Sequence, residues 1–275
     1  MRMAVCGYPP RVSQIIDAFS DTSLEITHFV KDFLSDRGKT NFEMPATLTF
    51  VSFFKFRKLI ASGALDGLII CEEGLFSFTK EVVRICKFYG IPNVGCINLW
   101  KLSNQISWLD SGKAFIPYME TNLIDSCNLN CRGCTHFANL FGAGDFYALE
   151  DFKRDMRRIS ETADVLRFRL MGGEPLLLKN LDQYLKTARQ FLPDTSLRLV
   201  TNGLLIPSAP QKLLDTLRET KFVVYISLYK PTLKILDKIQ ATLRKNNIPF
   251  QNVTGDVETF DVFLSLRGGH NSSQS

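Results

Sequence analysis

The sequence predicts an α/β protein in which a small Rossmann-like domain precedes a partial (β/α) barrel. Two observations carry this prediction. Apolar runs that read as strands alternate with amphipathic helices, with a period of roughly thirty residues in the second half of the chain. The residues with functional character stand where predicted strands end. In parallel sheets and barrels, the carboxyl ends of the strands form the edge at which sites are built.

The first half of the chain reads as strand, helix, strand, which is a βαβ unit. Strands are predicted at residues 2–6, 68–71 and 94–97, and helices at 12–19 and 78–89. Gly7 follows the first strand, but no Gly-x-Gly-x-x-Gly occurs, so a packing or partner-docking role is favoured over nucleotide binding. A polar ligand of this domain would meet it at Glu72-Glu73-Gly74. Residues 38–47 read as a loop, and 102–113 as the boundary of a domain covering residues 1–112.

The second half predicts five strands separated by helices. The strands are expected at residues 118–124, 165–170, 197–200, 222–226 and 248–253, and the helices at 149–162, 180–191, 209–219 and 232–246. No further strand–helix unit follows Asp256, so the barrel domain, residues 113–265, is predicted to be incomplete, with a disordered tail at 266–275. A naturally short chain and a chain that stops before its domain is complete remain alternatives.

Composition excludes several functional classes. The net charge of +5 is mild, and basic residues are scattered or paired with acids, which argues against nucleic-acid binding. No apolar run approaches the roughly eighteen residues of a membrane span, and no signal peptide begins the chain. The seven cysteines are an odd number without disulfide-like regularity. We therefore expect a cytoplasmic protein that does not bind membranes, with Cys6, Cys71, Cys86 and Cys96 buried in apolar segments.

The chemistry of the chain is concentrated in the loop that contains Cys127, Cys131 and Cys134. Clustered thiolates are soft ligands that hold zinc or iron–sulfur clusters. An ordinary [4Fe–4S] cluster takes four cysteines, so a loop with three leaves one iron open. The nearest other cysteine is Cys96, and none follows Cys134. This pattern indicates a cluster that takes part in chemistry more than one that stores electrons.

Three motifs together resemble the radical S-adenosylmethionine (radical SAM) superfamily. They are the cysteine loop, Met171-Gly172-Gly173-Glu174-Pro175 and Thr201-Asn202-Gly203, and the resemblance covers residues 115–253. It implies a barrel of radical SAM type. The motifs are similar to those of SPASM-type members that modify peptides and proteins, but the auxiliary-cluster cysteines of that type are absent after Cys134.

The resemblance also implies cofactors and chemistry. Three irons of a [4Fe–4S] cluster would be held by the cysteines, and the open iron would bind the amino and carboxylate groups of S-adenosylmethionine (SAM). Reductive cleavage of SAM would then start hydrogen abstraction from a substrate, which could be a peptide, a small molecule or a carbohydrate. A strongly reducing donor of flavodoxin or ferredoxin type is implied as a partner.

Six residues outside the cysteine loop are expected to bind SAM by resemblance. They are Gly172, Gly173, Glu174, Pro175, Asn202 and Ser227. The glycines let the backbone pass close to a ligand without a Cβ in the way. Glu174 can accept a charge-assisted hydrogen bond from the methionyl amine. Ser227 matches a serine that related enzymes place on the fourth strand, near the ribose or carboxylate of SAM.

One position departs from the family, and two alternatives stay open. Members usually carry an aromatic residue just before the third cysteine, where this chain has Gly133, so Phe137 is a candidate substitute for packing on adenine. The three cysteines and His136 could instead form a Cys₃His zinc site. A non-catalytic or truncated iron–sulfur protein is the other alternative to an enzyme.

Overall fold

The computed structural model describes residues 1–7, 12, 15–17, 19, 22–34, 47–72, 76–98, 106–110, 112–131, 134, 136–138 and 145–253. The chain forms two compact units. The N-terminal unit contains residues up to 118 together with 161–166, and the C-terminal unit contains 119–160 and the residues from 167 onward. The domain bounds at 112/113 and 265/266 stay predictions, and the predicted tail lies outside the described residues.

The N-terminal unit is built on a six-stranded sheet. Its elements are β1 (Arg2–Gly7), β2 (Glu25–Leu34), β3 (Thr49–Val51), α1 (Phe53–Ala61), β4 (Gly67–Glu72), α2 (Phe76–Phe88), β5 (Val94–Asn98) and β6 (Ile106–Trp108). The strand order is β3-β2-β1-β4-β5-β6, and only the β5–β6 pair is antiparallel. A short parallel pair joins β7 (Ala114–Ile116) to β9 (Ala163–Val165). The predicted Rossmann-like α/β organisation is therefore confirmed.

Apolar side chains cover both faces of this sheet, as expected for parallel strands. Cys6, Cys86 and Cys96 belong to the core on one face, and Cys71 belongs to the core on the other. All four side chains are at most 1% exposed, which confirms that they are buried in apolar surroundings. Burial raises the pKa of Cys86 to about 12, so this thiol is inert at neutral pH.

The C-terminal unit is a five-stranded parallel sheet. Its elements are β8 (Met119–Asn122), α3 (Leu149–Thr162), β10 (Arg167–Met171), α4 (Leu181–Phe191), β11 (Ser196–Thr201), α5 (Gln211–Glu219), β12 (Val223–Ser227), α6 (Lys230–Lys234), α7 (Leu236–Lys245) and β13 (Phe250–Val253). The strands lie side by side in the order β8-β10-β11-β12-β13. Sequential parallel strands with intervening helices are the architecture of a partial (β/α) barrel, as predicted.

The helices of this unit follow from local sequence. Helix α3 carries Glu150 and Asp151 in its first turn, where carboxylates interact favourably with the helix dipole, and it buries Phe152 and Met156. Helix α4 buries one apolar stripe and stops at Leu192, immediately before Pro193, which cannot continue a helix.

The structure differs from the sequence-based assignment in several elements. Strands β2, β3, β6, β7 and β9 and helix α1 were not assigned from the sequence. The single helix expected at 232–246 is broken at Ile235. Thr232 is fully buried and its hydroxyl donates to the Asn202 carbonyl oxygen at 2.8 Å, which anchors the first turn separately from α7. Most of the loop expected at 38–47 lies outside the described residues. Across the described part of the chain, helices are too short or too polar to span a bilayer.

Candidate active site

A cleft lies at the carboxyl ends of the strands of the C-terminal unit. It brings together residues that are distant in sequence: the cysteine loop after β8, the segment after β10, and the ends of β11 and β12. Its walls are formed by Cys127, Leu129, Cys131, Cys134, His136, Met171, Gly172, Gly173, Val200, Thr201, Asn202, Ser227 and Tyr229. All three cysteines and four of the six other predicted site residues therefore line one cavity.

The three cysteines are half-buried thiols on the wall of this cleft. The loop is held by backbone hydrogen bonds, including one from the Cys134 amide to the Cys131 carbonyl oxygen at 3.3 Å. The Leu129 amide lies 3.4 Å from Cys127 Sγ and donates to it. Amides that point at a sulfur stabilise its thiolate form, which is the form that binds metal.

The first and third cysteine thiols of the loop differ in their electrostatic surroundings. Burial acts to raise the pKa of Cys134, but a hydrogen bond with the His136 side chain and bonds from the backbone amides of Ala138 and His136 outweigh it, so the pKa is lowered. Burial raises the pKa of Cys127, and the Leu129 amide opposes this effect. His136 was considered from the sequence only as a zinc ligand, whereas the structure places it as the hydrogen-bonding partner of Cys134.

Gly172 and Gly173 allow two backbone segments to pack directly against each other. Gly172 has φ +148°, and a Cβ built on it would lie 2.3 Å from the Ile124 carbonyl oxygen. A Cβ on Gly173 would lie 2.2 Å from the Ser126 carbonyl oxygen. The Gly173 and Glu174 amides donate to the Ile124 and Ser126 carbonyl oxygens at 2.8 and 2.9 Å. These glycines therefore fix the segment that leads into Cys127.

The carboxylate of Glu174 lies beneath the cleft and not in its wall. The residue is 0% exposed, and its two oxygens accept hydrogen bonds from the Thr201 hydroxyl (2.6 Å) and from the amides of Asn202 (2.8 Å) and Leu176 (3.0 Å). Pro175 is buried as well, at the start of a 3₁₀ turn. The side chain of Glu174 thus joins the end of β10 to the end of β11, and this geometry offers no direct contact between its carboxylate and a ligand in the cleft.

Burial raises the pKa of Glu174 from 4.5 to about 7, although the three hydrogen bonds act to lower it. A carboxyl group whose pKa is higher in the folded than in the unfolded state stabilises the fold at low pH, and this stabilisation is lost as pH rises. A difference of one unit between the pKa in the folded and in the unfolded state corresponds to about 1.4 kcal/mol of stability. The free energy of unfolding should therefore fall by ~3 kcal/mol between pH 4.5 and about 7 because of this group.

Urea unfolding of the apoprotein, followed by circular dichroism across this pH range, measures the effect. The variant Glu174→Gln has no carboxyl group to titrate, so its curve should lack this pH dependence while its stability is lower at every pH. The lower stability is expected because the Gln amide nitrogen cannot accept from the Asn202 amide. The prediction would be contradicted if the free energy of unfolding of the two proteins changed with pH by the same amount.

Asn202 connects the end of β11 to the cysteine loop. Its side-chain nitrogen donates to Asn128 Oδ1 at 2.7 Å and lies 3.9 Å from Cys127 Sγ, within hydrogen-bonding distance of a sulfur atom. Its side-chain oxygen accepts from the Leu204 amide at 3.0 Å, which fixes the orientation of the amide group. The turn-like Thr201-Asn202-Gly203 segment is therefore part of the cleft and contacts a cysteine directly.

The end of β12 contributes Ser227, as expected, and also Tyr229, which the sequence analysis did not select. Tyr229 lines the cleft, and burial raises its pKa, so its phenol is protonated at neutral pH. Phe137, the candidate aromatic substitute, is 46% exposed and is not part of the cleft wall. Gly133 lies outside the described residues. The sequence feature that could have identified Tyr229 as a site residue is its position two residues after Ser227, the last residue of β12.

The donor set fits a [4Fe–4S] cluster better than a single metal ion. Among the described residues, no three His, Cys, Asp or Glu side chains are close enough together to hold one ion. Cysteines of a cluster bind different irons, so their sulfur atoms need not converge on a point. The cleft between the thiols and the glycine segment is open to a further ligand. The Cys₃His zinc alternative is not supported, since zinc requires convergent ligands.

Comparison with known proteins identifies relatives that match part of the chain. The GTP 3′,8-cyclase of Syntrophomonas wolfei is 33% identical over 114 residues, which are 38% of this chain and 32% of that protein. The GTP 3′,8-cyclase of Helicobacter pylori is 27% identical over 167 residues, 54% of this chain and 51% of that protein. The chain thus spans about a third to a half of the length of these curated relatives.

Solved structures with similarity to the chain include two that carry ligands. Native anSMEcpe with bound AdoMet is 20% identical, with a TM-score of 0.38, covering 50% of this chain and 43% of that one. Streptococcus suis SuiB bound to the precursor peptide SuiA is 16% identical, with a TM-score of 0.43, covering 68% of this chain and 39% of that one.

A family description matches the part of the chain that contains the cleft. The sequence model of the Radical SAM superfamily matches residues 121–249, from the end of β8 to the start of β13. A match to this superfamily implies a [4Fe–4S] cluster and SAM as cofactors, in agreement with the donor set of the cleft. The chain therefore contains a region, residues 121–249, that matches the radical SAM superfamily.

Proposed function

We propose that the chain is a radical SAM enzyme that cleaves SAM reductively and starts hydrogen abstraction from a substrate. One observation supports this proposal above the others: three thiols, a glycine segment and the polar ends of β11 and β12 meet in one cleft. In this proposal Cys127, Cys131 and Cys134 hold the cluster. When bound, the cluster would supply the electron for reductive cleavage of a carbon–sulfur bond of SAM.

The residues of the chain hold and orient the cofactors. Gly172 and Gly173 expose backbone to the cleft, where a carbonyl oxygen can accept from the SAM amine. Ser227 offers a hydroxyl to the ribose or carboxylate. Tyr229 is an aromatic side chain of the cleft wall, and we assign it the contact with adenine because Phe137 is not part of that wall.

Glu174 and Pro175 are buried and do not line the cleft, so their proposed role is to position residues that do. We assign Glu174 the role of positioning Thr201 and Asn202, because both of its oxygens are occupied by internal hydrogen bonds. Asn202 in turn positions Cys127 and Asn128. The motif residues thereby connect three strand ends, so that the cluster loop and the SAM-binding segments keep a fixed geometry.

Partners and organisation complete the proposal. A reducing donor of flavodoxin or ferredoxin type would supply the electron. We assign residues 113–265 to the radical SAM core and leave residues 1–112 as a separate α/β domain. A cytoplasmic location is proposed because the seven cysteines form no disulfide. The GTP 3′,8-cyclase relatives support a nucleotide as one substrate class to test, beside peptides, carbohydrates and other small molecules.

The decisive experiment is anaerobic iron–sulfur reconstitution followed by incubation with SAM and dithionite. The enzyme is expected to bind four irons per chain and to release 5′-deoxyadenosine, detected by chromatography and mass spectrometry. Cluster formation without SAM cleavage would instead support a non-catalytic iron–sulfur protein. Bound zinc with no iron uptake would overturn both interpretations.

The hydrogen bond from Asn202 to Cys127 predicts an effect on the cluster potential. Donors to a ligand sulfur stabilise the reduced, more negative cluster. Asn202→Ala removes the donor, and one hydrogen bond of about 1 kcal/mol corresponds to a midpoint potential roughly 40 mV lower. Redox titration followed by electron paramagnetic resonance measures the shift. Asn246→Ala, at the end of α7, is the matched control and should leave the potential unchanged. Equal potentials in all three proteins would show that Asn202 does not act on the cluster.

A further inference from the structure

Two helices of the N-terminal unit expose aromatic side chains beside each other. Helices α1 and α2 pack against the same core of the six-stranded sheet. Phe88, the last residue of α2, is 79% exposed, more than any other large apolar side chain in the described part of the chain. Tyr89 follows it with 43% exposed, and Phe54 in the first turn of α1 is 65% exposed. A single exposed ring is common on protein surfaces, whereas several that lie together mark an interaction site.

These rings form one continuous surface with two basic side chains. Phe54, Arg57 and Lys58 stand three and four residues apart, so they lie on one side of α1. The Lys58 ammonium nitrogen lies 4.7 Å from the centroid of the Phe54 ring. The centre of the Arg57 guanidinium lies 4.0 Å from the Tyr89 centroid, and the Tyr89 and Phe88 rings meet edge to face with centroids 4.9 Å apart. We call these five residues the aromatic–basic patch.

The charge of this surface is positive. Helix α1 contains Lys55, Arg57 and Lys58 and no acidic residue. Within the described residues, none of these three side chains forms an ion pair. The carboxylate of α2, that of Glu81, is already paired with Arg84 at 2.7 Å. A partner that covers the patch must therefore supply negative charge, because burying these cations without a counter-charge would cost free energy.

A cavity of about 310 Å³ opens beside the patch at the end of α2. Lys87 and Gly90, which flank Phe88 and Tyr89 in the sequence, line it together with the apolar side chains of Val83, Ile91 and Leu109. A pocket next to exposed aromatic side chains and an arginine has the composition of an interface hot spot, in which an apolar side chain of the partner is buried.

Two other occupants fit the patch less well. In a symmetric dimer each patch would face its own copy, so Arg57 and Lys58 would meet like charges. Single-stranded nucleic acid binds to rings whose faces are open for stacking. Here Arg57 covers one face of Tyr89, and the Phe88 ring stands at 90° to the Tyr89 ring. The surface therefore favours a peptide over bases.

We propose that the aromatic–basic patch is the docking site for an acidic peptide segment of a partner protein, in which carboxylates alternate with apolar side chains. The carboxylates pair with Arg57 and Lys58, and the apolar side chains pack on Phe54, Phe88 and Tyr89. The partner-docking role favoured for the first domain from the sequence thereby gains a specific surface. This inference concerns the N-terminal unit and does not depend on the proposed radical chemistry.

Fluorescence anisotropy of the full chain with a fluorescein-labelled synthetic peptide, built from repeats of Glu-Leu-Glu-Phe, tests the proposal. The wild type should bind this peptide with micromolar affinity at low salt, and binding should weaken as salt is raised. Phe88→Ala and Arg57→Gln should each weaken binding at least about fivefold. The matched controls are Phe146→Ala, at an exposed ring of the C-terminal unit, and Arg218→Gln, at an exposed arginine paired with Asp215. Both should bind as the wild type does.

Two altered peptides separate the contributions of charge and apolar contact. One carries Gln in place of Glu, and the other carries Ser in place of Leu and Phe. Each should bind the wild type at least about fivefold more weakly than the original peptide. Circular dichroism verifies that the variants fold, which is expected because the replaced side chains are exposed.

Several outcomes would overturn the proposal. These are failure of the wild type to bind the acidic peptide, equal binding of the Gln-containing peptide, or equal binding by Phe88→Ala and Phe146→Ala. Tighter, Phe88-dependent binding of a single-stranded thymidine oligonucleotide, or of vesicles containing phosphatidylglycerol, would replace the peptide with nucleic acid or a membrane. A dimer in analytical ultracentrifugation that Phe88→Ala abolishes would assign the patch to a second copy of the chain.

Discussion

Replacing Cys131 with serine should leave the protein without a [4Fe–4S] cluster and reduce SAM cleavage to the background level. Cys131 stands between Cys127 and Cys134 in the sequence, and all three side chains line the cleft. A serine hydroxyl stays protonated at neutral pH and is a hard ligand, so it does not replace a thiolate on iron. Iron and sulfide analysis after anaerobic reconstitution, together with 5′-deoxyadenosine formation, measures the loss.

A matched control uses a cysteine of the N-terminal unit. Cys86 is fully buried in an apolar core, and burial raises its pKa to about 12. Cys86→Ala removes a small buried side chain and should lower the free energy of unfolding by about 1 kcal/mol without changing the iron content. Full iron content in Cys131→Ser, or loss of iron in Cys86→Ala, would show that the cluster is held elsewhere.

The strands of the C-terminal unit could be predicted because of how they are buried. Leu170, Leu199 and Val224 are 0% exposed and lie in short runs rich in apolar residues, each followed by turn residues. Strand β2 could not be assigned in this way. Lys31 and Asp32 are consecutive charged residues that interrupt the alternation of apolar and polar side chains along this strand. Its pairing with β1 also contains two register shifts, so the two-residue repeat expected of a strand is lost.

The residue types of the site could be predicted, but some of their roles could not. The spacing of the cysteines and the order of the motifs identify the chemistry without any coordinates. The burial of Glu174 depends on how β10 and β11 meet, which is a tertiary contact that no local pattern records. Tyr229 was missed for the same reason, since an aromatic residue after a strand is most often part of a core.

The packing of Gly173 against the cysteine loop predicts a large effect of one added methyl group. In Gly173→Ala the new Cβ would lie 2.2 Å from the Ser126 carbonyl oxygen and 2.6 Å from that of Asp125. Both oxygens belong to backbone, which cannot rotate away as a side chain does. The hydrogen bond from the Glu174 amide to the Ser126 carbonyl oxygen, 2.9 Å long, would have to break or lengthen. We expect a loss of about 3 kcal/mol in the free energy of unfolding, together with impaired cluster uptake.

Gly112→Ala separates this steric effect from the general cost of replacing glycine. A Cβ on Gly112 would meet only the Asp110 carboxylate oxygen at 3.3 Å, the tip of a side chain that can move. This control should therefore change the free energy of unfolding by less than about 1 kcal/mol and leave cluster uptake intact. Urea unfolding and iron analysis compare the two variants. If Gly173→Ala were as stable and as rich in iron as Gly112→Ala, the Gly172-Gly173 segment would not fix the cysteine loop. Loss of iron with unchanged stability would instead locate the effect of the methyl group in the cleft, against a bound cofactor, and not in the backbone contact with Ser126.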